Sequence, residues 1–288
     1  MMKYIYKVFL FYLCNMMFSR MMRSYHVRYS MRMNSQNIIT NTNKRTFGIN
    51  DKEIYMNENK FIEDKKIISI SPGGFKGVYM LGVCLYIKDH FDLKNYIFSG
   101  ASAGAWNSLV LCCKKDVKLF KEEILDYSIK NSKTIIELEN LMKTRILQHY
   151  TTEDFDLRRL FIGVTTLNGF YPETTIYSDF QNLEDAINCC IASSHIPLIS
   201  GGIINRYHNK FTFDGGFSKV PYLNIKQNVL HITPSMWKER TNRTTIGDIN
   251  EFTTLFSKNK YNFTQLYLNG YEDANNHKEF LETKLNDK

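Results

Sequence analysis

The chain has 288 residues, 43% hydrophobic and 23% charged, which is ordinary for a soluble globular protein and enough for one sizeable domain or two small ones. Its net charge of +8 is carried by residues 1–50, which hold eight Lys and Arg and no acid, leaving 29 basic against 29 acidic residues in the remainder. A neutral body argues against a phosphate-tracking nucleic-acid surface there. The six cysteines (Cys14, Cys84, Cys112, Cys113, Cys189 and Cys190) include no C-x-x-C and all lie in apolar runs. They read as buried small hydrophobes in a reducing compartment, not as a zinc site or a disulfide framework.

The chain opens basic, then apolar, then basic again. The uncharged stretch at residues 8–19 is 12 residues long, whereas a membrane-spanning helix needs about 20. No small-residue cleavage site of the secretory kind follows it. An Arg-rich, acid-free leader resembles an organelle transit peptide, and it also suits an anionic membrane surface or an unaddressed tail. Residues 35–60 are polar and Asn-rich. The expected division is therefore 1–60 as leader and linker, disordered or targeting, and 61–288 as the catalytic domain. Two sequons, at Asn242 and Asn262, do not decide the compartment.

From residue 65 the chain alternates strand and helix. Residues 65–71 read as a strand, and Pro72-Gly73-Gly74-Phe75-Lys76-Gly77 as an irregular loop. Residues 77–90 have helical apolar spacing, 96–99 are strand-like, and 103–113 form a nearly all-apolar helix. Residues 116–147 hold two amphipathic helical stretches. Residues 161–167 and 175–177 read as a strand pair about the turn signal Asn168-Gly169. A helix at 183–193, strands at 211–213 and 229–232, and one long polar helix at 261–285 follow. This alternation predicts an α/β layered domain with a partly parallel sheet.

Gly100-Ala101-Ser102-Ala103-Gly104 lies between the second strand and its helix. A serine between glycines at such a turn is the pattern of a nucleophile elbow. There the small neighbours relieve crowding and the helix N-terminus favours developing negative charge. The same residues also suit a plain N-cap. In a parallel sheet the Gly73-Gly74 loop, which is neither a P-loop nor G-x-G-x-x-G, faces this turn. Its backbone N–H groups can form an oxyanion hole beside Ser102. For a base there are two routes. One is histidine: of seven in the chain, His231 and His277 follow Ser102 at suitable distance, but in a strand-like and a polar helical context. The other is Asp214, in Asp214-Gly215-Gly216 at a strand end, which could serve in a dyad without histidine or simply form a turn.

The Gly-rich loop with Lys76, then G-x-S-x-G, then D-G-G, with Ala192-Ser193-Ser194-His195-Ile196-Pro197 before the last, resembles the patatin-like phospholipase family over roughly residues 65–234. Between Gly163 and Pro221 the layout is similar to the adiponutrin and adipose triglyceride lipase branch. The resemblance implies a three-layer α/β/α sandwich with a mixed, largely parallel sheet. It implies Ser102 as nucleophile, Asp214 as its dyad partner and Gly73 and Gly74 as the oxyanion loop. Lys76, Gly77, Gly100, Gly104, Gly215 and Gly216 complete the motifs. It implies a lipid acyl hydrolase of phospholipase A or acylglycerol lipase type, with no metal and no cofactor, acting intracellularly at a membrane or lipid-droplet surface. One departure is plain: Pro72 stands where the family pattern has another glycine, and proline has no N–H to donate. The alternatives are a Ser-His-Asp esterase of the usual α/β-hydrolase type and a patatin-like module that binds lipid or protein without catalysis.

Overall fold

The structure is a computed structural model. It describes residues 61–285 apart from 63, 118–119, 169–170, 219, 224–227 and 238–260. The leader and linker expected at 1–60 thus lie outside the described residues, as does the Asn242 sequon.

A seven-stranded sheet forms the middle of the fold. Its strands are β1 (Lys66–Ile70), β2 (Tyr96–Gly100), β3 (Leu160–Asn168), β4 (Tyr171–Tyr177), β5 (Asn205–Tyr207), β6 (Lys210–Phe213) and β7 (Asn228–Ile232). The order is β5-β6-β3-β2-β1-β7, with β4 paired to β3 outside this path. The β7, β1, β2 and β3 contacts are parallel, and those joining β3, β4, β5 and β6 are antiparallel. The sheet is mixed and largely parallel, as the resemblance implied.

Side-chain alternation divides the core. Ile67, Ile97, Phe161 and Ile176 point to one face, with Ile62 and Leu223 over them. Ile68, Ile70, Phe98, Leu160 and Ile162 point to the other, beneath the larger helical layer. Successive strand residues face opposite ways, so strands buried on both faces read as continuous apolar runs in sequence. The fold is the three-layer α/β/α arrangement.

On the larger side lie α1 (Gly77–His90) and α2 (Ala103–Cys112), each following a parallel strand. A π-helical segment (Phe120–Asp126) leads into α3 (Tyr127–Asn131), and α4 (Ile135–His149) is capped by the Thr134 side chain, which accepts from the Glu137 N–H. α5 (Leu183–Ser193) follows β4. The long helix expected at 261–285 is two helices, α6 (Phe263–Asn276) and α7 (Lys278–Leu285). They part at His277, whose ring stacks on Trp237 with centroids 4.3 Å apart. The Asn262 side chain caps α6 by accepting from the Gln265 N–H at 3.0 Å. The five described cysteines are free and buried.

Register fixes where the loops emerge. Ile70 of β1 pairs with Gly100 of β2, so the two strands end at one level. The Pro72–Gly77 loop and the serine turn are thereby set side by side. Their closeness requires glycine: a Cβ on Gly104 would lie 2.1 Å from the Ile70 carbonyl oxygen.

Candidate active site

Ser102 occupies the turn between β2 and α2 with φ 54°, the left-handed region that a non-glycine residue rarely enters. The turn is held from both sides. Gly104 N–H donates to the Ala101 carbonyl at 2.9 Å, and Ser102 N–H donates to Ser193 Oγ at 2.8 Å. Ser193 Oγ in turn donates to the Gly163 carbonyl at 2.7 Å. The Asn107 side chain, one turn into α2, donates to the Gly77 carbonyl at 3.0 Å and ties the two helix starts together.

Asp214 follows the last residue of β6. Its Oδ2 accepts a hydrogen bond from Ser102 Oγ at 2.6 Å. Its Oδ1 accepts from Gly216 N–H at 2.6 Å. Its backbone is fixed as well: Asp214 N–H donates to the His195 carbonyl at 2.7 Å, and its own carbonyl accepts from Thr165 Oγ1 at 2.9 Å. Both side chains are nearly covered, Ser102 at 6% exposure and Asp214 at 5%. Burial pushes the Asp214 carboxyl up to about 6, against the pull of the hydrogen bonds from Ser102 and Gly216. A carboxylate with that affinity for protons is a far better base than an exposed one.

The histidines go elsewhere. His231 Nε2 lies 3.3 Å from Ser71 Oγ, and its ring stands edge-on to Tyr222. His277 Nδ1 lies 2.7 Å from the Asp273 carbonyl. His195 serves the site through its backbone carbonyl. Among the described residues no imidazole stands between Ser102 and Asp214, which touch directly.

The glycine loop adds its amides. Gly74 has φ 51°, and neither Gly73 N–H nor Gly74 N–H is used in a hydrogen bond among the described residues. Both line the same cavity as Ser102 and Asp214. Lys76 does not line it. Gly77 starts α1 against Ala103, and Gly215 sits over the Gly163 carbonyl. Pro72 belongs to the wall: a Cβ on Gly216 would lie 3.2 Å from its ring.

The cavity, of about 450 Å³, runs from this cluster between apolar side chains that include Leu81, Val110, Phe120, Leu138 and Met142. One polar group among them was not anticipated. Glu139, on α4, lines the cavity at 6% exposure. Its carboxyl is held well above the usual carboxylate range, first by burial and then by the nearby Asp214 charge, while a hydrogen bond with Ser194 works the other way. Burial and the neighbouring charge both favour its neutral form, which fits an apolar wall.

The sequence model of the family described as Patatin-like phospholipase matches residues 68–224, the span that holds every residue of this cluster. The chain belongs to the patatin-like phospholipase family. It is 26% identical over 176 residues to human patatin-like phospholipase domain-containing protein 4, covering 56% of this chain and 69% of the relative. Membership makes lipid acyl hydrolysis the chemistry of the family to which this site belongs. The adiponutrin-branch layout noted in the sequence is not distinguished by these matches.

Proposed function

We propose that this protein is a lipid acyl hydrolase working through a Ser102–Asp214 dyad. The observation that carries the reading is the direct 2.6 Å hydrogen bond from Ser102 Oγ to Asp214 Oδ2, at the wall of an apolar cavity. Asp214 accepts the hydroxyl proton as Ser102 Oγ attacks the ester carbonyl carbon. The carbonyl oxygen becomes an oxyanion, stabilised by the Gly73 and Gly74 N–H groups and the N-terminus of α2. As the carbon–oxygen bond to the alcohol breaks, Asp214 returns the proton to the departing oxygen. An acyl group remains on Ser102. Water then gives a proton to Asp214 and attacks the acyl carbon; the fatty acid leaves, and Ser102 Oγ recovers its proton. The apolar cavity holds the acyl chain, and its burial gain orients the carbonyl over Ser102.

Action at a membrane or lipid-droplet surface is part of the same reading, as is an intracellular site, which suits five free, buried thiols. Incubating the full chain with a mixed lipid extract and identifying the released fatty acids tests it, with fluorophosphonate labelling of Ser102 as the partner measurement. Equal release by wild type and Ser102→Ala, or no labelling of wild type, would overturn it.

A further inference from the structure

Residues 196–204 read Ile-Pro-Leu-Ile-Ser-Gly-Gly-Ile-Ile, nine residues without a charge. This loop joins α5 to β5 and forms one lip of the cavity: Ile196, Pro197, Leu198 and Ile199 line it. The same loop is turned to solvent. Leu198 is 67% exposed, Ile199 44% and Ile204 46%. Ile136, 43% exposed at the start of α4, extends the surface, since a Cβ on Gly201 would lie 3.2 Å from its Cδ1. Scattered exposed apolar residues need no explanation, but a contiguous group at a cavity mouth does. Leu198 is also held at φ 68°, a left-handed conformation that bulky residues avoid. Strain and exposure together put this leucine where neither folding nor water favours it.

The backbone explains what medium the loop suits. Ile196 N–H donates to Ser200 Oγ at 2.7 Å. Leu198 N–H donates to the Gly202 carbonyl at 3.3 Å, while Ile199 and Ser200 N–H both donate to the Ile196 carbonyl at 3.0 Å. Pro197 has no N–H. Every amide hydrogen from 196 to 200 is thus satisfied inside the loop. This pairing makes the 196–200 part of the loop compatible with hydrocarbon, where an unpaired N–H is costly. Among the described residues no helix is long and apolar enough to cross a membrane.

We propose that the 196–204 loop, together with Ile136, is the surface by which this protein seats itself in the outer layer of a lipid aggregate, and that lipid enters the cavity across it. The proposal rests on the lipid hydrolase reading above. A lipid surface is the occupant that accounts for both sides of the loop. The side chains that would contact the aggregate continue into the wall that receives the acyl chain, whereas a protein seated there would close the mouth.

The test uses the full chain with Ile136→Asp and Ile204→Asp, neither of which lines the cavity. Vesicles of phosphatidylcholine at high salt screen the basic residues 1–50. Flotation with these vesicles should fall roughly tenfold or more in each variant, the effect of keeping one large apolar side chain out of lipid. Hydrolysis of vesicle lipid should fall with it, while turnover of a monomeric p-nitrophenyl butyrate stays at the wild-type rate. An Ile204→Trp variant supplies a second measurement: its emission should shift to the blue on vesicle addition and be quenched by brominated lipid. Unchanged flotation, loss of soluble-ester turnover in parallel, or a change of oligomeric state in the aspartate variants would overturn the proposal; the last would assign the surface to a second copy of the chain. Wild type that floats but hydrolyses neither substrate would instead sink the hydrolase reading and leave the docking surface standing.

Discussion

Ser102 and Asp214 approach each other along a single edge of β3, from opposite directions. β4 occupies the other edge from Ile162 to Asn168. β2, paired through Phe98–Gly100 to residues 160–162, and β6, paired through Thr212 and Phe213 to Thr166 and Thr165, must therefore share the remaining edge. β2 runs parallel to β3 and ends at Gly100; β6 runs antiparallel and ends at Phe213. Ser102, two residues past β2, and Asp214, one residue past β6, are thereby delivered into the gap opposite Gly163 and Val164. The sheet itself aims the pair, and the Gly163 carbonyl in that gap anchors Ser193, which holds the Ser102 amide.

Removing either partner should therefore abolish ester hydrolysis. Ser102→Ala and Asp214→Asn are each expected to lower kcat by about a thousandfold or more, as loss of a nucleophile or its base does in serine hydrolases. His231→Ala and His277→Ala should leave most of the rate, because the rings meet Ser71 and the Asp273 carbonyl and not Ser102 or Asp214. Fatty-acid release from a lipid extract and turnover of a soluble ester are the measurements. A thousandfold loss on either histidine change would replace the dyad with a triad.

The pH profile follows from the burial of Asp214. The base works only when ionised, and its carboxyl sits at about 6. On the acid side kcat/KM should fall about tenfold per pH unit below 6, and it should level off above about 7. A histidine base would give a limb in a similar place, so the profile is read beside the histidine variants. A profile flat down to pH 4.5 would mean that Asp214 is not the base.

The same burial costs stability. An acid whose folded pKa is raised binds its proton more tightly when folded. Its stabilising contribution is full below the unfolded value near 4 and is lost as pH rises through about 6. Above that the fold carries a penalty of about 3 kcal/mol, from roughly two pKa units at 1.36 kcal/mol each. Glu139 acts in the same direction. Asp214→Asn should thus be inactive yet melt higher than wild type at pH 8, with the difference shrinking toward pH 4.5. Glu139→Gln should show the same pH trend. Thermal melts at the two pH values check both, and an Asp214→Asn protein less stable at pH 8 than wild type would contradict the sign.

The parts of this site that were legible in the sequence are those set by local constraint. Gly100, Ser102 and Gly104 mark a strand turning at once into a helix, and Gly73-Gly74 and Asp214-Gly215-Gly216 mark strand ends. Alternation of apolar strands and helices then implies one sheet edge for all three. What stayed hidden depends on distance along the chain. Ser193 meets the Ser102 amide across 91 positions; the motif segment 192–197 marks the residue, but not the partner it holds. Glu139 lies two residues from Glu137 on a polar-looking helix, and only the packing of α4 over the cavity buries it. β5 has three residues, too few to show a period. The 261–285 pattern reads as one helix because no Gly or Pro marks the break at His277.

Pro72 is the remaining departure from the family motif, and its setting predicts what it does. The proline ring packs beside Gly216, whose N–H holds Asp214 Oδ1. It thus buttresses the turn that carries Asp214, while Gly73 and Gly74, next in the chain, carry the N–H groups assigned above to the proposed oxyanion hole. Pro72→Gly would restore an N–H but lose this contact and loosen the unfolded chain, a cost of about 0.5–1 kcal/mol. The expected result is a melting temperature lower by roughly 1–4 °C for a domain of this size. The kcat should be equal to or a few-fold below wild type. A kcat that rises tenfold would show the opposite: the proline withholds an oxyanion donor worth about 1.4 kcal/mol, and the native site is a weakened one.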